Sequence, residues 1–433
     1  SDATGNNDGT SWQDAFTDLQ DALTGTTGEV WVKVGTYFPT SGTDQNISFI
    51  LNRDLYGGFN GTETARSQRD FRANETILSG NIGDPNDDQD NSFSIIDARN
   101  FSLIGLPGLI DGFTITKSQS GNTYDGQIGS HSIKNCIFEE TVGNTAIFLN
   151  SISGAEIANC IFRNIDVSAG ISTSAATITI TSFTSNTVDI VNNLIFNAGN
   201  GIIILFANGT ILNNSIVNNA GFSITDFQNS NLTVANNIIT GNALTTSVLS
   251  GTLTNNIIEG TTDPNNFDLD PGFKDALNND FSLTVCSDAR NLGDNAFVPV
   301  SITEDVLGNT RIFDGMVDVG AFEVQAFPIQ INAVETLDIE CFEASTGQIA
   351  LGVTGGTGAL DYSIDGVNFQ SSSVFTGLAS GTYTIEVRDE DGCMDMASAT
   401  LNELSTSVLS FSTSTVANVC QGESLGQIII NAS

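Results

Sequence analysis

The sequence predicts an all-β protein in two parts. A parallel β-helix with an N-terminal capping helix spans residues 1–325. Ig-like β-sandwich repeats follow, one complete (326–404) and one begun (405–433). Three observations predict this. Six short apolar runs recur with asparagine at a fixed place, beyond Ala326 strands alternate with turns, and a cysteine-led motif returns 79 residues after its first occurrence.

The stretch TSWQDAFTDLQDALTG, residues 10–25, is the one convincing helix. Trp12, Phe16, Leu19 and Leu23 share a face, and Thr10 or Ser11 stands where a cap belongs. Helical periodicity then gives way to short β-rich runs parted by Gly, Asn and Asp. The six similar runs are IKNCIF, IANCIF, IVNNLI, ILNNSI, VANNII and LTNNII. Their first asparagines, Asn135, Asn159, Asn192, Asn213, Asn236 and Asn255, are separated by 24, 33, 21, 23 and 19 residues. A period near 23 is too long for a hairpin and too short for a βαβ unit, but it fits one coil of a β-helix. Coils stack about 4.8 Å apart. Equivalent asparagines then lie above one another, where their amides can bond along the axis and their backbones can take the left-handed form a corner requires. The long step implies an insertion carrying SAGISTSAATITITSFTSNT. A dozen such coils would give a stiff rod of roughly 60 Å.

Cys136 and Cys160 hold the same coil position one turn apart, with Cα atoms expected about 5 Å apart. Either a disulfide or a pair of packed thiols satisfies that spacing. After Ala326 the runs QIALGV, LDYSID, TYTIEVRD and SATLNE alternate with TGGTG and DEDG, as in an antiparallel sandwich. Tyr383 is expected in a core strand beside a tight turn. Cys341 and Cys393 would pin the two ends of the sandwich, worth roughly 3–4 kcal/mol through loop closure. Cys286 is left over and expected to be a buried thiol. The motif of Cys341, Gly347, Gln348 and Ile349 recurs as Cys420, Gly426, Gln427 and Ile428, so the second repeat is read as cut short.

Thirteen basic residues against fifty acidic ones give a net charge of −37. That excludes nucleic acid and anionic membranes as natural partners, because both need a basic face. No apolar run approaches the 18 or so residues that span a bilayer, so no membrane insertion is expected. No secretory leader is visible, which predicts a processed or trimmed amino terminus.

The motifs DGTSWQDAFTDLQDAL, VWVKVGTYFPT, LYGGFNGTE, TILSGNIG, IDGFTIT and DVLGNTRIFDGMVDVGAFE run from residue 9 to 323. They resemble bacterial surface proteins of the right-handed β-helix, choice-of-anchor Q type. The stretch from Cys341 to Cys393 resembles the SprB repeat, found in tandem in large adhesins of gliding Bacteroidetes exported by the type IX system. The resemblance implies a right-handed coil, a cell-surface location and a partner for Cys420 beyond residue 433.

Catalysis has few candidates. Glu139, Glu140, Asp166 and Asp189 lie among the coils, but no spacing singles out a glycosidase pair. His131 is the only histidine and no nucleophile elbow accompanies it. No enzyme, and so no catalytic residue, is expected. For metal, DPNDDQDN places Asp84, Asn86, Asp88 and Asp90 at alternate positions, like half a calcium loop, but without the turn glycine and with Ile95 where the bidentate acid belongs. Asp268 and Asp270 are a weaker pair. Ca2+ is thus the one candidate cofactor.

The functional expectation is a non-catalytic segment of a secreted, extracellular adhesin or filament. It would attach to surface glycans or other cells and could bundle with copies of itself. The alternative is a carbohydrate-active enzyme or glycan-binding module using the β-helix face. That alternative calls for aromatics in line on an exposed strand face, whereas Phe138 and Phe162 are expected inside and Trp12 and Trp31 near the cap.

Overall fold

A computed structural model describes residues 3–99, 108–167, 176–182, 186–227, 230–243, 251–339, 345–403, 411–416 and 427–432. The chain divides into two compact units, Ser1–Gln325 and Ala326–Ser433.

The first unit opens with a shorter helix than the sequence predicts, Leu19–Gly25. Its cap is Asp18, whose carboxylate accepts the Gln20 and Asp21 amides, rather than Thr10 or Ser11. Those two hydroxyls are engaged elsewhere, by Asp8 and Asp14. Trp12 is held out of the helical stripe because its indole N–H donates to the Glu63 carbonyl, 2.9 Å away. It packs instead in an aromatic cluster with Trp31 and Phe59. Leu19, Ala22 and Leu23 alone carry the helix onto the core.

The coils then form three columns of parallel strands. The first holds nine strands, from Val30–Lys33 to Gly251–Thr254. The second runs from Gly35–Tyr37 to Ile257–Ile258. The third begins at Phe49–Ile50 and reaches Ile224–Phe227. Register is strict: Ile133 pairs with Ile157, Ile157 with Ile190, Ile190 with Ile211, Ile211 with Val234 and Val234 with Leu253. Five of these six are buried and Leu253 packs against the same core. Phe138 and Phe162, one coil apart, stack with ring centroids 5.0 Å apart. All six recurrent asparagines adopt left-handed φ, between 51° and 60°, at the corner between the first and second columns. Most of the long step falls between Val167 and Ile178, ahead of a strand of the third column.

The outer asparagine ladder is interrupted. Asn159 donates to Asn135, Asn192 to Asn159, and Asn236 to Asn213. Between Asn192 and Asn213 the chain of amides breaks, because Asn213 donates to Phe297 O and leaves Asn192 Oδ1 unmatched. A second column, one residue further along each run, is continuous. Asn193, Asn214, Asn237 and Asn256 each donate to the next amide oxygen, ending on Asn266, over 2.8–2.9 Å. The same oxygens accept a main-chain N–H from the coil before. Asn193, Asn214, Asn237 and Asn256 are fully buried. Cys136 and Cys160 head this inner column, the Cys160 amide donating to Asn193 Oδ1.

Among the described residues nine strands, rather than a dozen, stack in the first column, because residues 268–325 do not coil. They run back along the flank. Phe281, Leu283, Val306 and Val319 cover the outward side chains Leu194, Phe196, Val217 and Ile238. Ile302 and Phe297 cover Val191 and Leu212. The Asn236 side chain clamps Asp294 by donating to its carbonyl and accepting its N–H.

In the second unit, Gln330–Leu337, Gly347–Thr354 and Val374–Leu378 form one antiparallel sheet. Asp361–Ser363, Gly381–Arg388 and Met394–Leu401 form another. Ile349, Leu351, Phe375, Ile385, Val387 and Leu401 share one core between them. Tyr383 is half-buried in the central strand, its hydroxyl donating to Ala379 O. The strands Phe411–Val416 and Gln427–Ala432 pair antiparallel. Their register repeats the first repeat's: Thr336 faces Ile349 and Thr415 faces Ile428, each 79 residues on.

The inner amide column makes a measurable prediction. Asn237→Ala removes five buried hydrogen bonds, two accepted from Asn214 and three donated to Ile211 O, Ala235 O and Asn256. It is expected to lower unfolding stability by at least about 3 kcal/mol in a urea titration. Thr233→Ala, on the outward face of the adjoining strand, should change it by no more than about 0.5 kcal/mol.

Candidate functional site

The chemistry-bearing residues singled out in the sequence are mostly placed by the coil repeat. His131 lies in Ser130–Lys134 and faces the core, 2% exposed, with Nδ1 3.0 Å from the Tyr124 hydroxyl. Burial pushes its pKa down to about 4, so the ring is neutral, and burial pushes the Tyr124 phenol up. The pair is a core contact, shielded from solvent.

The four candidate acids stand on the lateral faces. Glu139 pairs with Arg163, its in-register neighbour, at 2.5 Å. Glu140 pairs with Lys117 at 3.1 Å. Asp189 accepts the Thr210 hydroxyl at 2.7 Å, again one coil away. Asp166 is exposed. Lys134 is tied to Glu156 at 2.7 Å. Stacking therefore puts Glu139, Glu140, Asp189 and Lys134 each beside a partner from an adjoining coil.

The acidic loop does not gather the predicted calcium ligands. Asp84 Oδ1 accepts from the Asn86 amide, capping its own turn. Asp88 meets Lys117 at 3.5 Å. Asp90 Oδ2 accepts the Asp84 amide at 2.7 Å, and Asn86 bonds only back to Asp84. The alternating spacing needs a wrapping loop, and local Asx turns fold it otherwise. Asp268 and Asp270 likewise accept the Gly260 and Gly272 amides. Among the described residues, no three His, Cys, Asp or Glu side chains could hold a metal ion together.

The structure decides between the two readings of one cysteine pair and departs from expectation at a third cysteine. Cys136 and Cys160 are buried free thiols, not a disulfide. Each sulfur points to a main-chain carbonyl, Lys134 O at 3.1 Å and Ala158 O at 3.3 Å. Burial raises the Cys160 pKa, with Cys136 adding to the effect. Cys286 is exposed and disulfide-bonded rather than a buried thiol. Cys393 is also disulfide-bonded, while Cys341 and Cys420 lie outside the described residues.

A buried ionic knot closes the first unit, and sequence reasoning missed its chemistry within DVLGNTRIFDGMVDVGAFE. Arg311 is 1% exposed and pairs with Glu323 at 3.3 Å. Its guanidinium also donates to Phe322, Asp318 and Gly320 carbonyls. Asp305 accepts the Leu307, Asn309 and Glu323 amides, and Asp318 those of Asn291 and Val324. The knot ties down the returning segment.

Two of the depressions in the surface bear on the site. A cleft of about 390 Å³ lies between Phe71–Arg72 and Val306–Leu307, with Glu75 the one acid lining it. Glu75 accepts the Thr114 hydroxyl at 2.9 Å. A cavity of about 910 Å³ at the amino-terminal end is lined by Trp12, Phe16, Trp31, Tyr37, Lys33 and Glu63. Trp31 is half-buried and stacks on Phe59 at 4.8 Å.

The family model described as the right handed beta helix region matches residues 102–263. No curated protein and no solved structure matches the chain. The first unit is thus a right-handed parallel β-helix, the class that its three columns define. No described helix is long and apolar enough to cross a membrane.

The knot titrates in a defined direction. Burial, then repulsion from Asp318, raises Glu323 from 4.5 to about 7, against the pull of Arg311. The native state therefore holds its proton more tightly, and the stability this adds is complete below pH 4.5 and lost as pH rises through 7. Glu323→Gln should match wild type near pH 4.5 and exceed it by up to about 3 kcal/mol at pH 8. His131, with its lowered pKa, works oppositely as pH falls below 6.5, but it is common to both proteins and cancels in the comparison. A difference in thermal stability that does not vary with pH would refute the assignment.

Proposed function

We propose that this chain is a non-catalytic segment of a secreted, cell-surface adhesin or appendage, with the β-helix as a rigid display body and the sandwich repeats as serial spacers. One observation carries the reading. Along the coil faces Glu139, Glu156 and Asp189 are matched to Arg163, Lys134 and Thr210 of the neighbouring coil. Such pairing makes the faces a lattice that repeats with the coils. A hydrolase instead keeps two carboxyl groups poised across a cleft, at about 5 Å or 6.5–9.5 Å.

The repeated register of the 326–403 strands in the hairpin 411–432 supports tandem repeats of the SprB type. The motifs spread over the first unit support the choice-of-anchor Q resemblance. A net charge of −37 suits a protein kept apart from anionic surfaces and soluble in salt. Export by the type IX route, a role in attachment during gliding and lateral bundling into filaments belong to the same proposal.

A glycan-binding reading has one specific observation in its favour, the aromatic cavity of Trp12, Trp31 and Tyr37. Aromatic faces beside polar groups are the usual furniture of carbohydrate sites, and Glu29 holds the Trp31 indole N–H at 2.7 Å. It refines the adhesive reading by giving the attachment a ligand.

A polysaccharide array probed with the 433-residue chain, paired with a reducing-sugar assay on the same polymers, tests the proposal. The expected result is retention on a subset of polymers with no release of reducing ends, and loss of that retention in Trp31→Ala. Release of reducing ends or unsaturated products at any enzymatic rate would overturn it.

A further inference from the structure

The 81–92 loop holds an observation that the exposed acids do not explain. Four of its side-chain oxygens are buried without a hydrogen-bond partner: Asn81 Oδ1, Asp90 Oδ1, Asn91 Oδ1 and Ser92 Oγ. Asn91 is 2% exposed and Ser92 is fully buried. A buried oxygen left unmatched costs about 1–3 kcal/mol, and four in one loop call for a positively polarised occupant.

The backbone brings these residues to one neck. The Ser92 and Ile82 amides both donate to Gly80 O at 2.8 Å, which sets Asn81 beside the 90–92 segment. Asp90 spends Oδ2 on the Asp84 amide, and its carboxylate lies over Gly83, where an added Cβ would sit 2.2 Å from Oδ2. Asn91 turns its Nδ2 to Asp88 at 3.4 Å, leaving the amide oxygen free. Gln45 Nε2 bonds the Gln89 and Asn91 carbonyls, fixing the far side of the neck.

We propose that this neck binds a hard divalent cation, calcium, through Asn81 Oδ1, Asp90 Oδ1, Asn91 Oδ1 and Ser92 Oγ. Oxygen donors of carboxylate, amide and hydroxyl type suit a hard ion, and calcium accepts six to eight of them in irregular geometry. Magnesium demands a near-ideal octahedron and releases its water reluctantly, so it is the poorer fit. One direct carboxylate, with Asp84 and Asp88 at longer range, places the affinity with the weak extracellular class, at about 0.1–1 mM. The site differs from the alternating set read in the sequence, sharing only Asp90 with it. It stands independently of the adhesive reading.

The test is calcium titration of the chelator-treated chain, followed by thermal unfolding and calorimetry. The expected result is a saturable rise in unfolding temperature, half complete at about 0.1–1 mM calcium and smaller with magnesium. Asp90→Asn, which keeps an acceptor for the Asp84 amide, and Asn81→Ala should each weaken the apparent affinity by at least about tenfold. Asp88→Asn should leave it within about twofold. Far-UV circular dichroism in calcium-free buffer checks that each variant is folded, and Asn81→Ala carries the test if Asp90→Asn is not. A linear, unsaturating rise common to all variants means salt screening of the net charge and overturns the site. So does an affinity lost in Asp88→Asn and kept in both neck variants.

Discussion

The first unit depends on the vertical stacking of equivalent residues, and the buried amide column is what makes that stacking unforgiving. Asn214, Asn237 and Asn256 each bond one carbonyl of their own coil and groups of both adjoining coils at once. In a medium without water those bonds have no substitute. A slip of one residue would turn every inward side chain outward and strand the amides in the apolar core. The isoleucine columns supply most of the favourable burial, but they would tolerate several registers. The amides accept one.

The same repeat prepares the flank. In the 190–217 stretch, side chains lie buried on both faces of the coil wall, so outward Val191, Leu194, Phe196 and Leu212 need a cover. The returning segment provides it, and Asn192, Asn213 and Asn236 of the outer column hold that cover through its carbonyls. The ionic knot around Arg311 then locks the returning segment onto itself. Coil, cover and knot are successive answers to one problem: a solenoid wall has two faces, and here both are apolar.

Much of this was legible in the sequence. The spacing of Asn135 to Asn255 identified the coil, and the left-handed corner followed from what asparagine tolerates. Phe138 and Phe162 were placed inward by the same spacing. The inner column shows in the sequence as the second letter of each NN pair, behind the corner asparagine whose spacing defines the repeat. Cys136 and Cys160 sit in that inner position, where the thiols meet main-chain carbonyls and stay unjoined by a disulfide. The helix start was misplaced because Asp18 caps better than Ser11 and Trp12 was claimed by a distant carbonyl. The Trp12 partner lies about 50 residues away, which local periodicity does not register. The calcium spacing failed for the opposite reason: short-range Asx turns satisfied Asp84 locally.

The central claim, that successive coils superimpose in register, is tested most directly by a distance along one column. Ser132, Glu156, Asp189, Thr210, Thr233 and Thr252 are stacked partners across five coil steps. Spin labels at Ser132→Cys and Thr252→Cys, read by double electron–electron resonance, should give one narrow distribution centred at about 24 Å. A broad distribution, or a centre displaced by more than about 8 Å, would mean that the runs do not pile up and would contradict the account.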